Sequence, residues 1–273
     1  MLVRALGLEQ ARLISLCGAG GKTTLIFCLA REFVEAGERV LVTTTTKIAR
    51  DEAQGRLAFA AISAEQVLSN ACQLLPEDGP ERAGVVIAYS EANADGCKLN
   101  GFAPELVDAL AQAGRFDRIL VEADGSARRP LKAPAAHEPV IPSATQALII
   151  VAGLSGLGLP LSEDKLFRAN IWSRLSGLAL GAPVSAESLA RCLIHPEGLA
   201  RGCPAKAQTI LFLNQADTPE RRAEAKRVAQ FLAMAPRNGV GRVVIGCLLP
   251  QPNIASIVSF QESVATYESG GRQ

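Results

Sequence analysis

The strongest constraint on the fold is an alternation of short, nearly continuous apolar runs with segments of helical spacing. "RLISLC" (12–17), "RVLVTTT" (39–45), "GVVIAYS" (84–90), "DRILVEA" (117–123), "ALIIVAG" (147–153), "QTILFLN" (208–214) and "RVVIGCL" (242–248) are rich in β-branched residues. Strands that read this way have both faces covered, as in a parallel sheet between helices. Helices are predicted at 22–36 before Gly37, 64–75 before Pro76, 103–113 before Gly114, 163–175, 185–194 and 218–234. The pattern predicts a three-layer α/β fold, a mostly parallel sheet with flanking helices and ligand at its carboxyl edge. The 273 residues accommodate one domain, 1–273, with residues 153–205, where no strand is evident, as a helical insertion or small lobe. "SARRPLKAPAAHEPVIPSA" carries four prolines and reads as an extended loop, and the tail "SGGRQ" is expected to be disordered.

After the first strand comes Gly18-Ala19-Gly20-Gly21-Lys22-Thr23-Thr24, followed by a helical segment. Glycines permit the positive φ angles of a backbone that wraps a phosphate, and the N–H groups and dipole of the following helix favour an anion. In that role Lys22 reaches the terminal phosphates and the Thr23 hydroxyl ligates Mg2+, making the fold P-loop NTPase-like. Leu16 stands where the full Walker A pattern places its first glycine, so the loop is short. It resembles the compact GxxGKT/S loop of Mur ligases and folylpolyglutamate synthetases, which binds ATP. The competing reading is a glycine-rich turn that binds nothing.

Other residues are candidates to complete a nucleotide site. "TTTTK" (43–47) ends the second strand, where a threonine such as Thr45 can meet Mg2+ or a γ-phosphate and Lys47 can add charge; a β-branched strand end is the alternative. "ILVEADGS" places Glu122 and Asp124 two apart past an apolar strand; Asp124 is expected at the metal and Glu122 at the attacking water, against two solvated turn carboxylates. Arg128, Arg129 and Lys132 cluster in "SARRPLK", which suits an anionic ligand or a solvated loop equally. Asn214-Gln215-Ala216-Asp217 fits an N[K/Q]xD guanine-recognition pattern, while Asp217 or Thr218 also makes a good N-cap before Pro219. The nucleotide is ATP or GTP on this reading.

Composition narrows the partners. Lys and Arg total 28 against 27 for Asp and Glu, so no overall field draws the protein to nucleic acid or to a membrane surface. Aromatic residues, at 4%, are too scarce for base stacking. The seven cysteines are scattered without a CxxC pair and read as small buried residues of a reducing cytoplasm rather than a disulfide framework or zinc site. Cys17 can be an activated thiol or, better, a buried strand-end residue, and His137 and His195 lack ligand partners at metal-binding spacing. The N-terminus does not read as a signal peptide, and no apolar run is long enough to span a bilayer.

"GAGGKTT", "RVLVTTTTK", "LVEADGSARRPLKAPAAHEPVIP" and "LNQAD", in this order, resemble the YqeC family of accessory proteins for selenium-dependent molybdenum hydroxylases. The resemblance runs from about residue 12 to about 250, and 121–142 is its most specific part. It implies a cytoplasmic protein that assists maturation of such a hydroxylase, with the hydroxylase or its cofactor-assembly proteins as partners. Where the family leads one to expect a His-Arg pair, this chain has Phe167-Arg168. The leading function is a slow P-loop nucleotide hydrolase in which Lys22 holds phosphates, Thr23 and Asp124 the magnesium, Glu122 the water, and Asn214 with Asp217 the base. Arg128 or Arg129 assists. The alternatives are an ATP-dependent ligase or kinase acting on a small anionic substrate, and a non-hydrolysing nucleotide-binding partner module.

Overall fold

The computed structural model describes residues 1–76, 79, 82–93, 97–235 and 239–260. The tail expected to be disordered, 269–273, lies outside them. Twelve strands are described: β1 (Leu13–Gly18), β2 (Arg39–Thr44), β3 (Lys47–Ala49), β4 (Ala58–Ala60), β5 (Gly84–Tyr89), β6 (Glu91–Ala92), β7 (Lys98–Asn100), β8 (Arg118–Glu122), β9 (Ala147–Gly153), β10 (Gln208–Asn214), β11 (Arg242–Cys247) and β12 (Asn253–Ser259). The helices are α1 (Leu2–Leu6), α2 (Lys22–Glu35), α3 (Arg50–Ala53), α4 (Ala64–Leu74), α5 (Pro104–Ala113), α6 (Ala169–Ser176), α7 (Ala186–Ile194) and α8 (Pro219–Met234).

Nine strands form one sheet in the order β12-β11-β10-β9-β1-β8-β2-β5-β4. Every pair in it is parallel except the antiparallel edge pair of β11 and β12. A second, antiparallel sheet has the order β3-β7-β6. From β1 the chain first builds outward to β2 and β5, then returns to insert β8, and finally adds β9, β10 and β11 on the other side. That reversal at β1 is where an open α/β sheet leaves a crevice at its carboxyl edge.

The apolar runs are continuous because both faces of the large sheet are covered. Ile14, Leu16, Val40, Val42 and Leu120 join the core under α1 and α2. The alternate residues point the other way: Leu13, Leu41, Ile119 and Val121 pack with α4 and α5, while Cys17, Ile150 and Leu213 pack with α6, α7 and α8. Three layers result, as expected from the run pattern. Between β9 and β10 the described residues form no strand of the large sheet, and α6 and α7 bury their apolar faces in the same core as α8.

Two departures from the sequence expectation have local causes. The helix expected from 163 starts only at Ala169, because the Glu163 carboxylate accepts the N–H of Arg168 (3.0 Å) and of Asn170 (3.4 Å) and Arg168 takes a left-handed φ of 65°. Strand β12 escaped detection because it is an edge strand with alternate residues exposed and with Asn and Ser among them. The proline-rich stretch after β8 is irregular, and its carbonyls are gathered by Arg201. The Arg201 guanidinium donates to the oxygens of Ala135 (2.7 Å), Ala136 (2.6 Å) and Glu138. No helix among the described residues is long and apolar enough to cross a membrane.

Candidate functional site: a glycine loop over paired lysines

Parallel register brings the site together. Leu16 of β1 lies opposite Glu122 of β8, Thr44 of β2 is also opposite Glu122, and Gly18 is opposite Val151 of β9. Asn214 closes β10 opposite Gly153. All these residues stand at the carboxyl edge.

The chain leaves β1 through Gly18 (φ 96°) and turns into α2 at Gly20 (φ 86°) and Gly21 (φ 128°), values an L side chain rarely adopts. Space excludes side chains as well. A Cβ on Gly18 would lie 2.2 Å from the Val151 oxygen, and one on Gly20 would lie 2.5 Å from Gly153. The loop is therefore shaped by close backbone approach on two sides. Its first N–H groups are spent inside the protein: Gly18 donates to Asp124 Oδ2 (2.9 Å) and Ala19 to the Val151 oxygen (2.9 Å). Beyond them the pattern changes. Among the described residues no acceptor takes the N–H of Gly20, Gly21, Lys22, Thr23 or Thr24, and the next N–H, of Leu25, donates to Gly21. Gly20, Gly21, Lys22, Thr23 and Thr24 line a cavity of about 650 Å3.

Lys22 is buried under this loop. Its ammonium donates to the Gly18 oxygen (2.7 Å) and lies 3.1 Å from Asp124 Oδ1 and 3.5 Å from Glu122 Oε1. Burial works against its charge, but Asp124 and then Glu122 outweigh it and hold the pKa above the ordinary lysine value. Glu122 is pushed the other way: burial raises its pKa, and Asp124 adds to the rise while Lys22 opposes it. The Thr23 hydroxyl donates to Glu122 Oε2 at 3.0 Å. Thr23, expected at the metal together with Asp124, thus has Glu122 as its carboxylate partner. Asp124 is fully buried, with Lys22 on one oxygen and Lys132 at 2.9 Å from the other.

Lys132 was expected beside Arg128 and Arg129 as a cation for an anionic ligand. Instead it is 1% exposed and donates to the Gly125 oxygen (2.6 Å) and to Glu138 Oε2 (2.5 Å). Arg168 closes the chain of charges on Glu138 with contacts of 2.5 and 3.0 Å. Glu138 is partly desolvated, but Arg168 and Lys132 hold its pKa down at about 2. Phe167, standing where a histidine was expected, stacks against the Arg168 guanidinium at 4.3 Å. Sequence reasoning did not find this network. The signal available was two charged residues, Lys132 and Glu138, spaced among prolines and alanines that offer no solvent-facing helix.

The remaining candidates divide. Thr45 does not join the loop: its hydroxyl donates to the Val140 oxygen (2.6 Å), and it lines neither the loop cavity nor the one beside it, because the segment after β8 folds back across the end of β2. Asn214 does join it, its amide donating to the Gly20 oxygen (2.7 Å). Since a carbonyl only accepts, this bond fixes the amide orientation, and the buried Asn214 Oδ1 is left without a partner. Thr218, not Asp217, caps α8. Asp217 lines the loop cavity, with Arg221 Nη1 2.7 Å from its Oδ1. Arg128 and Arg129 also line that cavity, Arg128 bridging to Asp51 at 2.7 Å. Lys47 lines a neighbouring cavity. Cys17 is fully buried, donates to the Leu199 oxygen (3.3 Å), and has its pKa raised by burial; it is a packed thiol, not an activated one. His137 is exposed, and His195 Nδ1 accepts the Glu197 N–H (3.1 Å).

A family model described as "YqeC protein" matches residues 14–170. The chain belongs to the YqeC family. YqeC of Escherichia coli (strain K12) is 32% identical over 247 residues, 90% of this chain and 91% of that protein. The matched family span takes in the glycine loop, Glu122, Asp124 and the Lys132–Glu138–Arg168 network, whereas Asn214 and Asp217 lie beyond it. Among solved structures, the MinC:MinD cell division protein complex of Aquifex aeolicus is similar at a TM-score of 0.44 and 13% identity, over 86% of this chain and 81% of that one. The Signal Recognition Particle 54 kDa protein of Aeropyrum pernix K1, in complex with GDP, is similar at a TM-score of 0.40 and 18% identity, over 95% of this chain and 48% of that one.

Proposed function

We propose that the protein binds a nucleoside triphosphate with Mg2+ and hydrolyses it slowly. The observation that carries this reading is the run of N–H groups from Gly20 to Thr24 that have no acceptor among the described residues and line one cavity. Such a run at the start of a 14-residue helix is a concentrated donor site for phosphate oxygens. Lys22 adds a localised charge on a flexible stem. Asp124 is a positioning residue, tying the Gly18 N–H to both buried lysines.

The oxygen donors suit magnesium. Among the described residues no cluster of three or more His, Cys, Asp or Glu is arranged to hold a metal. Mg2+ needs none, since it takes one or two carboxylates and completes its shell with water and phosphate oxygens. The Thr23 hydroxyl and the Glu122 carboxylate, 3.0 Å apart, are the residues that would hold it. Bound there, the ion neutralises charge on the phosphates. Glu122 is also our assignment for orienting the attacking water.

We assign the base to Asn214 and Asp217, which line the same cavity as the loop. Slow turnover fits the state of Arg128, which is engaged with Asp51 at an exposed position rather than held on the phosphate side. We assign this cycle to the cytoplasmic maturation of a selenium-dependent molybdenum hydroxylase, with that enzyme or its cofactor-assembly proteins as partners, on the role that the family resemblance implies.

The test is calorimetry with ATP and GTP plus Mg2+, followed by phosphate release without any acceptor. Binding that weakens on chelation of Mg2+, with slow release, is expected. Failure of both nucleotides to bind would overturn the proposal. Release only with an added acceptor would move the protein to the kinase or ligase class, and binding without turnover would make it a partner-binding module.

A further inference from the structure

A cavity of about 1040 Å3 lies beside the loop cavity and shares Thr23, Ser126 and Arg128 with it. Glu122 lines this second cavity, so the cavity reaches the same threonine–carboxylate pair that the nucleotide reading puts at the terminal phosphate. Its far wall comes from β3, α3 and β7.

Four cations line it, Lys47, Arg50, Lys98 and Arg128, against two carboxylates, Asp51 and Glu122. Both carboxylates already have partners. Asp51 pairs with Arg128 at 2.7 Å, and Glu122 takes the Thr23 hydroxyl and faces Lys22. Lys47 and Lys98 make no ion pair among the described residues. Strand register puts them on one face: Lys47 pairs with Asn100 and Ala49 with Lys98, so all four side chains leave the small sheet on the same side, while Ile48 and Leu99 are buried on the other. Glu91, also opposite Asn100 through β6, is the acidic residue nearest in register, and its Oε1 accepts from the Asn100 amide (3.3 Å). Lys47 and Lys98 thus stand exposed on one face of the small sheet, and residues of both its faces, Ile48 and Leu99 included, line the cavity.

We propose that this chamber binds a small phosphate ester as a second ligand, next to the terminal phosphate of the nucleotide. The proposal rests on the nucleotide reading for what lies on the other side of Thr23 and Glu122, but the charge arrangement of the chamber stands on its own. Lysine and arginine charge around an open cleft suits several phosphate oxygens at once.

The probe is fructose 1,6-bisphosphate, titrated calorimetrically at low salt into the full-length protein saturated with a non-hydrolysable ATP or GTP analogue and Mg2+. The wild type is expected to bind it. Lys98→Glu, on an exposed strand position, is expected to weaken the probe about tenfold and to leave nucleotide affinity unchanged. Adding Lys47→Glu is expected to weaken the probe further, with circular dichroism confirming the fold. No binding of the bisphosphate by the nucleotide-loaded wild type, or binding indifferent to both charge reversals, would overturn the proposal. Failure of the nucleotide reading is seen separately. If no nucleotide binds, the same titration is run without it, and loss of the probe on Lys98→Glu but not on Lys22→Ala still assigns the chamber.

Discussion

Asp124 carries a lysine on each carboxylate oxygen, and the two lysines end in different surroundings. Lys22 lies 3.1 Å from one oxygen and Lys132 2.9 Å from the other, and both are buried. Above Lys22 runs a row of backbone donors without acceptors among the described residues, opening on a cavity. Around Lys132 every direction is closed, by the Gly125 oxygen, by Glu138 and, through Glu138, by Arg168. One carboxylate therefore supports the glycine loop on one side and the packing of the proline-rich segment on the other. A buried ion pair does not reveal its purpose by its own geometry; what decides is whether the groups next to it are satisfied.

The sharpest way to break this contrast is to remove each lysine. Lys132→Ala leaves Asp124 and Glu138 short of a buried partner and is expected to cost about 3–5 kcal/mol of stability, measured by denaturant unfolding. The folded fraction should keep nucleotide affinity. Lys22→Ala should do the reverse, weakening nucleotide binding roughly 100-fold, about 3 kcal/mol, with a smaller loss of stability because Asp124 retains Lys132. If both variants lose the same property, the two sides of Asp124 are not distinct.

Acid titration probes the closed side through the difference between wild type and Glu138→Gln, since Asp117, away from the site, is also held at about 2. The Glu138 carboxyl has an ordinary value of 4.5 and is held at about 2 in the folded protein. Over that window the unfolded chain binds the extra proton, so this contribution to stability is fully present above about pH 4.5 and is lost as pH falls towards 2. Glu138→Gln should flatten that limb of the stability curve, read by urea unfolding at successive pH values. Unchanged steepness would remove Glu138 from the account.

Smaller effects test the open side. Asp217→Asn is expected to shift purine selectivity about tenfold toward xanthosine triphosphate, measured by competition against GTP and ATP. Equal affinities before and after would take Asp217 out of the base site. Arg128→Ala removes an exposed pair with Asp51 and should change stability by less than about 1 kcal/mol, with nucleotide affinity altered only about twofold.

The same contrast marks what the sequence made legible. The strands of the large sheet's interior were readable because covered faces force continuous apolar runs, and the longer helices because their ends carry glycine, proline or a capping hydroxyl, whereas the short α1 and α3 were not. The short strands β3, β6 and β7 and the edge strand β12 were not, since their residues are half exposed and their pairing is decided by distant partners. Within the site, local motifs announced the glycine loop, Glu122, Asp124 and Asn214. The partners were not announced. That Thr23 would meet Glu122 rather than Asp124, and that Thr45 would turn to Val140, depends on how the segment after β8 folds back, which no local spacing encodes. The Lys132–Glu138–Arg168 chain spans 36 residues between Lys132 and Arg168, and only tertiary structure joins it.

The central claim is that the backbone donors from Gly20 to Thr24 enclose a triphosphate. Amide chemical shifts of 15N-labelled protein, recorded while Mg2+ and ATP or GTP are added, test it directly. The account predicts large, saturable shifts at those five amides, while the amide of Ala19, already bonded to Val151, moves far less. Nucleotide that binds without moving them, or that moves residues elsewhere in the sheet instead, would contradict it.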